Sequence, residues 1–496
     1  MTVPPFSARS YEFCEWAPAR NYVFGELSEA STGKSMPVEN PRHGKVMSSV
    51  TLSGAEDVNR AVEAARRGFE AWREVPIKER AQVFYRLKSL LERDLEELSW
   101  LVSHENGKTI EDARASVQKG IECVEFGASL PAVAAGEHLE VSRGVTCTES
   151  HAPLGVVAGV TPFNFPIMVP MWMLPQAIVG GNAFILKPSE QVPLTPMKIA
   201  ALFAEAGLPK GVFNVVNGGP DAVNALVDHP GIQAMAFVGS TAIAKMLYAR
   251  GAAVGRRMLC LGGAKNHLIV VPDADPAITA ENVVASFTGA TGQRCMAAAV
   301  LVAVGDVDAI IDRIVERAAA LELGKDVGPV ISKKAEERIG GYISAAQKAG
   351  ATLRLDGRGK RGPDGGYWVG PTVIDRVSPD MSVACEEIFG PVLSILRVGS
   401  VDEAIALENA SPYGNAASIY TTSGAVAEYV TGRVEAGMVG VNIGVPVPRE
   451  PFGFGGWNQS KFGHGNITGM DGFRFWTRAR KVTAKWALRA DNNWMS

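Results

Sequence analysis

Through the middle of this chain, short unbroken apolar runs alternate with stretches of helical period. Val156-Val157-Ala158-Gly159-Val160 is the first run, bounded by glycine and proline and followed by a helical stretch to Gly180-Gly181. Ala183-Phe184-Ile185-Leu186 follows, with a helix around Met197 to Ala206. Phe213-Asn214-Val215-Val216 and Ala234-Met235-Ala236-Phe237-Val238 complete the series, each with a helix behind it. Runs that are continuous rather than alternating belong to strands buried on both faces, so the pattern predicts a parallel sheet covered by helices. Ligands of such sheets bind beyond the carboxyl ends of the strands. The rhythm restarts after Lys265-Asn266, with a strand from His267 to Val271, a helix from about Ala277 to Gly289, a loop containing Cys295, and a strand from Val300 to Val304. That predicts a second α/β domain, ending near Gly437.

Outside this core, Ser53-Gly54-Ala55-Glu56 has the spacing of a helix capping box. Behind it Val58, Ala61, Val62, Ala65, Phe69 and Trp72 recur at helical spacing and predict one buried stripe. A second helix is predicted from Ile77 to His104, stopping near Gly107. The tail from Phe473 to Trp486 alternates bulky and charged residues and is expected to be a strand. The Gly/Pro-rich segment from Pro446 to Gly465 is expected to be a loop, and long loops in compact domains are usually functional.

A length of 496 residues allows two or three globular units. Hydrophobic content of 47% and charged content of 20% are ordinary for a soluble protein, and a net charge of -3 gives no argument for nucleic acid or a membrane surface as partner. The basic patch Arg474, Arg478, Arg480, Lys481 is local and reads as a solvated or interface strand. No run of about 18 apolar residues predicts a membrane span. Met1-Thr2-Val3-Pro4-Pro5 lacks a signal-peptide pattern. Cys14, Cys123, Cys147, Cys260, Cys295 and Cys385 are scattered without a CxxC pair, which predicts reduced thiols and a cytoplasmic protein. No His/Cys/carboxylate cluster has metal-ligand spacing, so no metal is expected.

Five segments bear chemistry: Thr161-Pro162-Phe163-Asn164-Phe165-Pro166, Lys187-Pro188-Ser189-Glu190, Phe237-Val238-Gly239-Ser240-Thr241, Gly292-Gln293-Arg294-Cys295, and Glu386-Glu387-Ile388-Phe389-Gly390-Pro391. Singly each is weak. A lone loop asparagine is usually a turn former, and a lone cysteine is usually a core residue. In this order and spacing they resemble the NAD(P)-dependent aldehyde dehydrogenase superfamily. The resemblance implies Cys295 as nucleophile, with Asn164 and the Cys295 backbone N–H as an oxyanion hole. It implies cofactor contacts from Thr161, Phe163, Lys187, Ser189, Glu190, Gly239, Ser240, Glu387 and Phe389, with Ala244 standing where many members have glycine. The Glu190 carboxylate would repel a 2′-phosphate, which favours NAD over NADP. Arg294, beside the cysteine, is expected to favour the thiolate.

Most members carry a glutamate 34 residues before the cysteine, and here that position is Leu261. A leucine cannot take a proton from water. With Gly263-Ala264-Lys265-Asn266-His267 and Val441-Asn442-Ile443 … Pro446-Val447-Pro448 … Phe454-Gly455-Gly456-Trp457, the chain resembles the CoA-acylating methylmalonate-semialdehyde dehydrogenase branch, which also lacks that base. A second glutamate of hydrolytic members is replaced by Arg478. The branch holds a substrate carboxylate with two arginines; Arg294 matches one, and Lys119 stands at the other. A lysine keeps the charge and loses the bidentate fork. The implied reaction is NAD-dependent oxidation of methylmalonate or malonate semialdehyde through a Cys295 thioester. CoA then resolves the thioester to propanoyl-CoA or acetyl-CoA with loss of CO2. The implied fold is α/β: a Rossmann-like NAD domain (1–126 and 150–258), an α/β catalytic domain (259–440) and a small β oligomerisation segment (127–149 and 473–496) in a homo-oligomer, a dimer or tetramer. A hydrolytic dehydrogenase of another anionic aldehyde stays open. So does a binding protein on a retired enzyme fold, against which the intact Cys295, Asn164, Lys187, Glu190 and Glu387 argue.

Overall fold

Every apolar run of the first series becomes a buried strand. The structure, a computed structural model, describes residues 8–486; the terminal residues 1–7 and 487–496, which belong to the expected NAD and oligomerisation segments, lie outside the described residues. Phe213–Val215, Ala183–Lys187, Val156–Val160, Ile232–Val238 and Arg257–Leu261 lie side by side in that order, all parallel. Antiparallel edges are added by Asn21–Val23 and Glu26–Ser28 at one side and by Lys461–Phe462 at the other. Strand order reverses between Val156–Val160 and Ile232–Val238, the topological switch where such sheets bind ligands.

The second sheet runs Thr352–Leu355, Thr372–Asp375, Val392–Val398, Ala298–Val304, Asn266–Val270, Ala416–Tyr420, Met438–Val441. All its pairings are parallel except the first. Arg257–Leu261, across which the expected 258/259 boundary falls, pairs within the first sheet, and the second sheet extends past Gly437 through Met438–Val441. Alternate residues of each strand feed different apolar clusters. Leu259 and Leu261 point to one face of the first sheet, and Met258 and Cys260 to the other.

Three local expectations are corrected. Ser53 exchanges hydrogen bonds with Asn21, so the cap of the helix Ala55–Trp72 is Gly54, whose N–H donates to Asp57 Oδ2 at 3.0 Å. The predicted helix from 77 to 104 is two, Ile77–Arg93 and Leu95–Asn106, broken at Asp94. The Asp94 carboxylate is held by Arg93 and Lys198, and aspartate favours a helix cap over an interior. Residues 473–475 are helical, in Gly469–Phe475, because Phe473, Phe475 and Trp476 are all buried while Arg474 points out. The strand begins at Thr477 and pairs with Val145–Pro153, which pairs with Glu137–Ser142. This three-stranded sheet is largely exposed. Among the described residues, no helix is long and apolar enough to cross a membrane.

Candidate active site between the two sheets

Thr161 to Phe165 leave the carboxyl end of Val156–Val160, and Lys187 ends the neighbouring strand. Cys295 enters from the other sheet, three residues before Ala298–Val304 begins. The site therefore lies where strand ends of the first sheet meet strand beginnings of the second.

The cysteine loop is held by an unusual backbone. After the helix Pro276–Thr288 the chain takes left-handed φ at Ala290, Thr291 and Gly292 in succession. Only the last is free of Cβ strain, and a Cβ there would strike the Gly390 backbone. Side chains hold the turn. Asp112 Oδ2 accepts from Ala290 N–H at 2.9 Å, and Thr291 Oγ1 donates to Gly328 O at 2.9 Å. The Cys295 carbonyl accepts from Asn266 Nδ2 at 2.8 Å and Asn415 Nδ2 at 2.9 Å. Across the junction, Asn164 Nδ2 donates to the Gln293 carbonyl at 2.8 Å. That bond sets the Asn164 amide against the cysteine loop and leaves its second N–H for another acceptor.

Behind Asn164 stands Lys108, which the sequence reading passed over. It is fully buried, donates to Asn164 O at 2.6 Å, and lies 4.0 Å from the centre of the Phe165 ring. Burial lowers its pKa to about 7. Asn106 donates to Phe163 O at 3.0 Å, and Glu105 accepts from the Leu194 and Thr195 N–H groups. The one signal was a polar run, His104-Glu105-Asn106, closing a helix at Gly107; a helix stop and a loop support look alike in sequence.

Leu261 is 3% exposed and faces the apolar cluster against which Cys295, Phe165 and Met168 also pack. Cys260 points to the opposite face, and burial pushes its thiol up to about 12. Cys295 itself is pushed up to about 12, by burial first and the Glu387 charge next. Arg294 acts in the expected direction, downward, but burial outweighs it. Below its pKa a thiol gains thiolate tenfold per pH unit. Alkylation of Cys295 by iodoacetamide, followed on its peptide by mass spectrometry, is therefore expected to accelerate about tenfold per unit from pH 7 to 10. Levelling near pH 9 would show an unburied thiol.

Lys187, buried, donates to Glu190 Oε2 at 2.9 Å in a groove of about 270 Å³ shared with Thr161, Phe163, Ser189 and Gly239. Exposed Ile243 and Met246 form an apolar wall of the same groove. Two features there await a polar ligand. Thr161 Oγ1 is buried with no partner, and Ser240 caps the helix Thr241–Ala253 without a side-chain bond, which leaves first-turn N–H groups open to a phosphate. Ala244 is fully buried against the sheet, so its methyl sits away from that helix end. Glu387 Oε1 accepts from Ala264 N–H at 3.1 Å, and Phe389, at φ 54°, packs edge-on to Phe163 with ring centres 5.8 Å apart. These residues fit a dinucleotide.

The two expected carboxylate holders differ in situation. Arg294 Nη2 donates to the carbonyls of Ala285 (2.6 Å) and Ser286 (2.8 Å), and its Nε has no protein acceptor. Lys119 is already paired with Glu450 Oε2 at 2.8 Å and Glu122 Oε2 at 3.1 Å. Arg478 lies exposed on the strand Thr477–Lys485, opposite Ala152 of the three-stranded sheet.

The aldehyde dehydrogenase family model matches residues 28–482. A protein of Geobacillus thermodenitrificans named malonate-semialdehyde dehydrogenase 1 is 44% identical over 476 residues, 94% of this chain and 98% of its own. The crystal structure of a methylmalonate-semialdehyde dehydrogenase from Oceanimonas doudoroffii superposes with a TM-score of 0.94 at 42% identity, covering 95% of this chain and 99% of its own. A Sinorhizobium meliloti protein solved with NAD superposes with a TM-score of 0.93 at 40% identity, covering 96% and 99%.

Proposed function

The chain belongs to the aldehyde dehydrogenase family and is an NAD-dependent enzyme; from that premise we propose that it oxidises malonate or methylmalonate semialdehyde and passes the acyl group to CoA. The observation that carries the CoA step is Leu261, a buried apolar side chain at the position of the missing base, in the extended cluster at whose margin Cys295 lies. Names of the relatives above support the substrate class.

In the proposed course, Cys295 Sγ, as thiolate, bonds to the aldehyde carbon. The free N–H of Asn164 and the Cys295 backbone N–H stabilise the oxyanion that forms. Collapse of that oxyanion leaves a thioester on Cys295, a hydride acceptor being what NAD would supply when bound. Thr161, Phe163, Lys187, Ser189, Glu190, Gly239, Ser240, Glu387 and Phe389 would hold it. Arg294 keeps its remaining donors for the substrate carboxylate. In the thioester that carboxylate is β to the carbonyl. The C–C bond breaks with its electron pair entering the thioester enolate, CO2 departs, and a proton is taken up at carbon. The CoA thiol then attacks the acyl carbon and displaces the Cys295 thiolate, giving acetyl-CoA or propanoyl-CoA. Product analysis with malonate and methylmalonate semialdehydes, with and without CoA, tests the whole reading. Free acid formed at the same rate without CoA would overturn it.

One observation favours a hydrolytic reading. The Glu387 charge reaches Cys295 strongly enough to raise its thiol, so a carboxylate lies within electrostatic range of the thioester. Its hydrogen bond from Ala264 and its neighbour, buried Lys265, fit it better to holding a ligand. The same proposal makes the exposed three-stranded sheet, with Leu139, Val141 and Val482 open to solvent, a subunit contact of a homo-oligomer.

Glu190 sets cofactor choice in this reading. NAD is expected to exceed NADP by at least about tenfold in kcat/KM, on the order of 1.4 kcal/mol. Glu190→Gln should narrow that gap. Equal efficiency of the native enzyme with both cofactors would show that Glu190 does not meet the ribose.

A further inference from the structure

Lys119 sits on the helix Ile110–Val133, and Glu450 on the loop that returns from the second sheet. Their side chains are 16% and 9% exposed, so the pair at 2.8 Å is largely removed from water and stronger than a surface pair. The other Glu450 oxygen accepts from the Cys123 thiol at 3.5 Å. Glu122, the second partner of Lys119, also faces Arg449 at 3.4 Å.

The helix that carries Lys119 packs on the segment that follows Asn164. Val445 and Val447 pack against the apolar cluster that also receives Cys295, Phe165 and Met168. Glu450 follows Val447 by three residues, a reach of about 10 Å at most. Gly120, next to Lys119, faces Ile167, Met168 and Met171.

We infer that Glu450 is a specificity-determining residue: it supplies from the enzyme itself the carboxylate that Lys119 would otherwise take from the substrate, and so weakens selection for carboxylated over uncharged aldehydes. An incoming carboxylate must displace Glu450 or join it and Glu122 on one ammonium, and carboxylates crowded on one cation repel. Selection for negative charge then rests on Arg294. The inference builds on the reading that substrate charge is recognised near Cys295.

The test uses the full-length enzyme, Glu450→Gln, Glu450→Ala as a second charge-free variant, and the double variant Glu450→Gln with Lys119→Met. Two quantities are read: the ratio of kcat/KM for malonate semialdehyde to that for propanal, and the Ki of malonate as a competitive inhibitor of propanal oxidation. With Glu450 uncharged, Lys119 keeps only the half-exposed Glu122 as a carboxylate partner, and the ratio is expected to rise and the Ki to fall several-fold. The double variant should lose the gain. An unchanged or reduced ratio with unchanged Ki overturns the inference, and so does a gain that survives loss of Lys119. Because malonate inhibition is read on propanal turnover, a native enzyme inactive on malonate semialdehyde would sink the proposed substrate and leave the Glu450 test standing.

Discussion

Cys295→Ala is expected to lower aldehyde oxidation by at least about a thousandfold, roughly 4 kcal/mol of transition-state stabilisation. Without Sγ no tetrahedral adduct forms, and hydride loss from a free aldehyde hydrate has no positioned counterpart in this site. NAD affinity should change by less than about twofold, because Cys295 is not among the residues assigned to the cofactor and the Lys187–Glu190 groove does not include it. Steady-state NADH formation and a fluorescence titration with NAD measure the two effects. Retention of more than a few per cent of turnover would remove Cys295 from its role. Cys260→Ala is the control. It lies one residue from Leu261 yet faces the other side of the sheet, so it should cost stability of about 1 kcal/mol and little activity.

The second large effect concerns what takes the acyl group. A positioned general base contributes about 10²–10⁴ to the step that it serves, so thioester hydrolysis beside Leu261 should be slow, and CoA should accelerate turnover by a similar factor. Without CoA, a burst of about one NADH per active site is expected, followed by a much slower phase. Leu261→Glu should raise that slow phase. The new carboxylate would replace a side chain only 3% exposed within the apolar cluster, where burial raises its pKa, so the gain should grow with pH as the acid ionises. Rapid CoA-independent release of free acid by the native enzyme would make the hydrolytic reading correct, with Glu387→Gln the next variant to examine.

Much of this was legible in the sequence because strands buried on both faces leave continuous apolar runs. Val156–Val160 and Ala183–Lys187 could be read directly, and with them the ends that carry Thr161, Asn164 and Lys187. Side-chain commitments over long separations were not legible. The choice of Gly54 over Ser53 as helix cap depends on Asn21, and the break at Asp94 depends on Lys198. Nothing local to Asn415 says that its amide holds the Cys295 carbonyl, and Lys108 looks like any lysine after a helix stop. Glu450 lies in a segment expected to be a functional loop, yet no period in a loop says which side chain turns inward. Its pairing with Lys119 is a property of the fold.

The chain passes from the first sheet to the second between Leu261 and Asn266, and returns between Val441 and Lys461. Two bodies tied at two places can turn freely only about the line through the ties; any other displacement stretches one of them. Asn164 lies on one body and Cys295 on the other, and the Asn164 Nδ2 bond to the Gln293 carbonyl at 2.8 Å joins the two directly. Away from the ties the bodies are bonded again, Arg42 donating to Asp364 Oδ2 at 2.6 Å and to the Gly324 carbonyl at 3.1 Å. A turn about that line must break those bonds, so the fold braces thiol and amide in one registration.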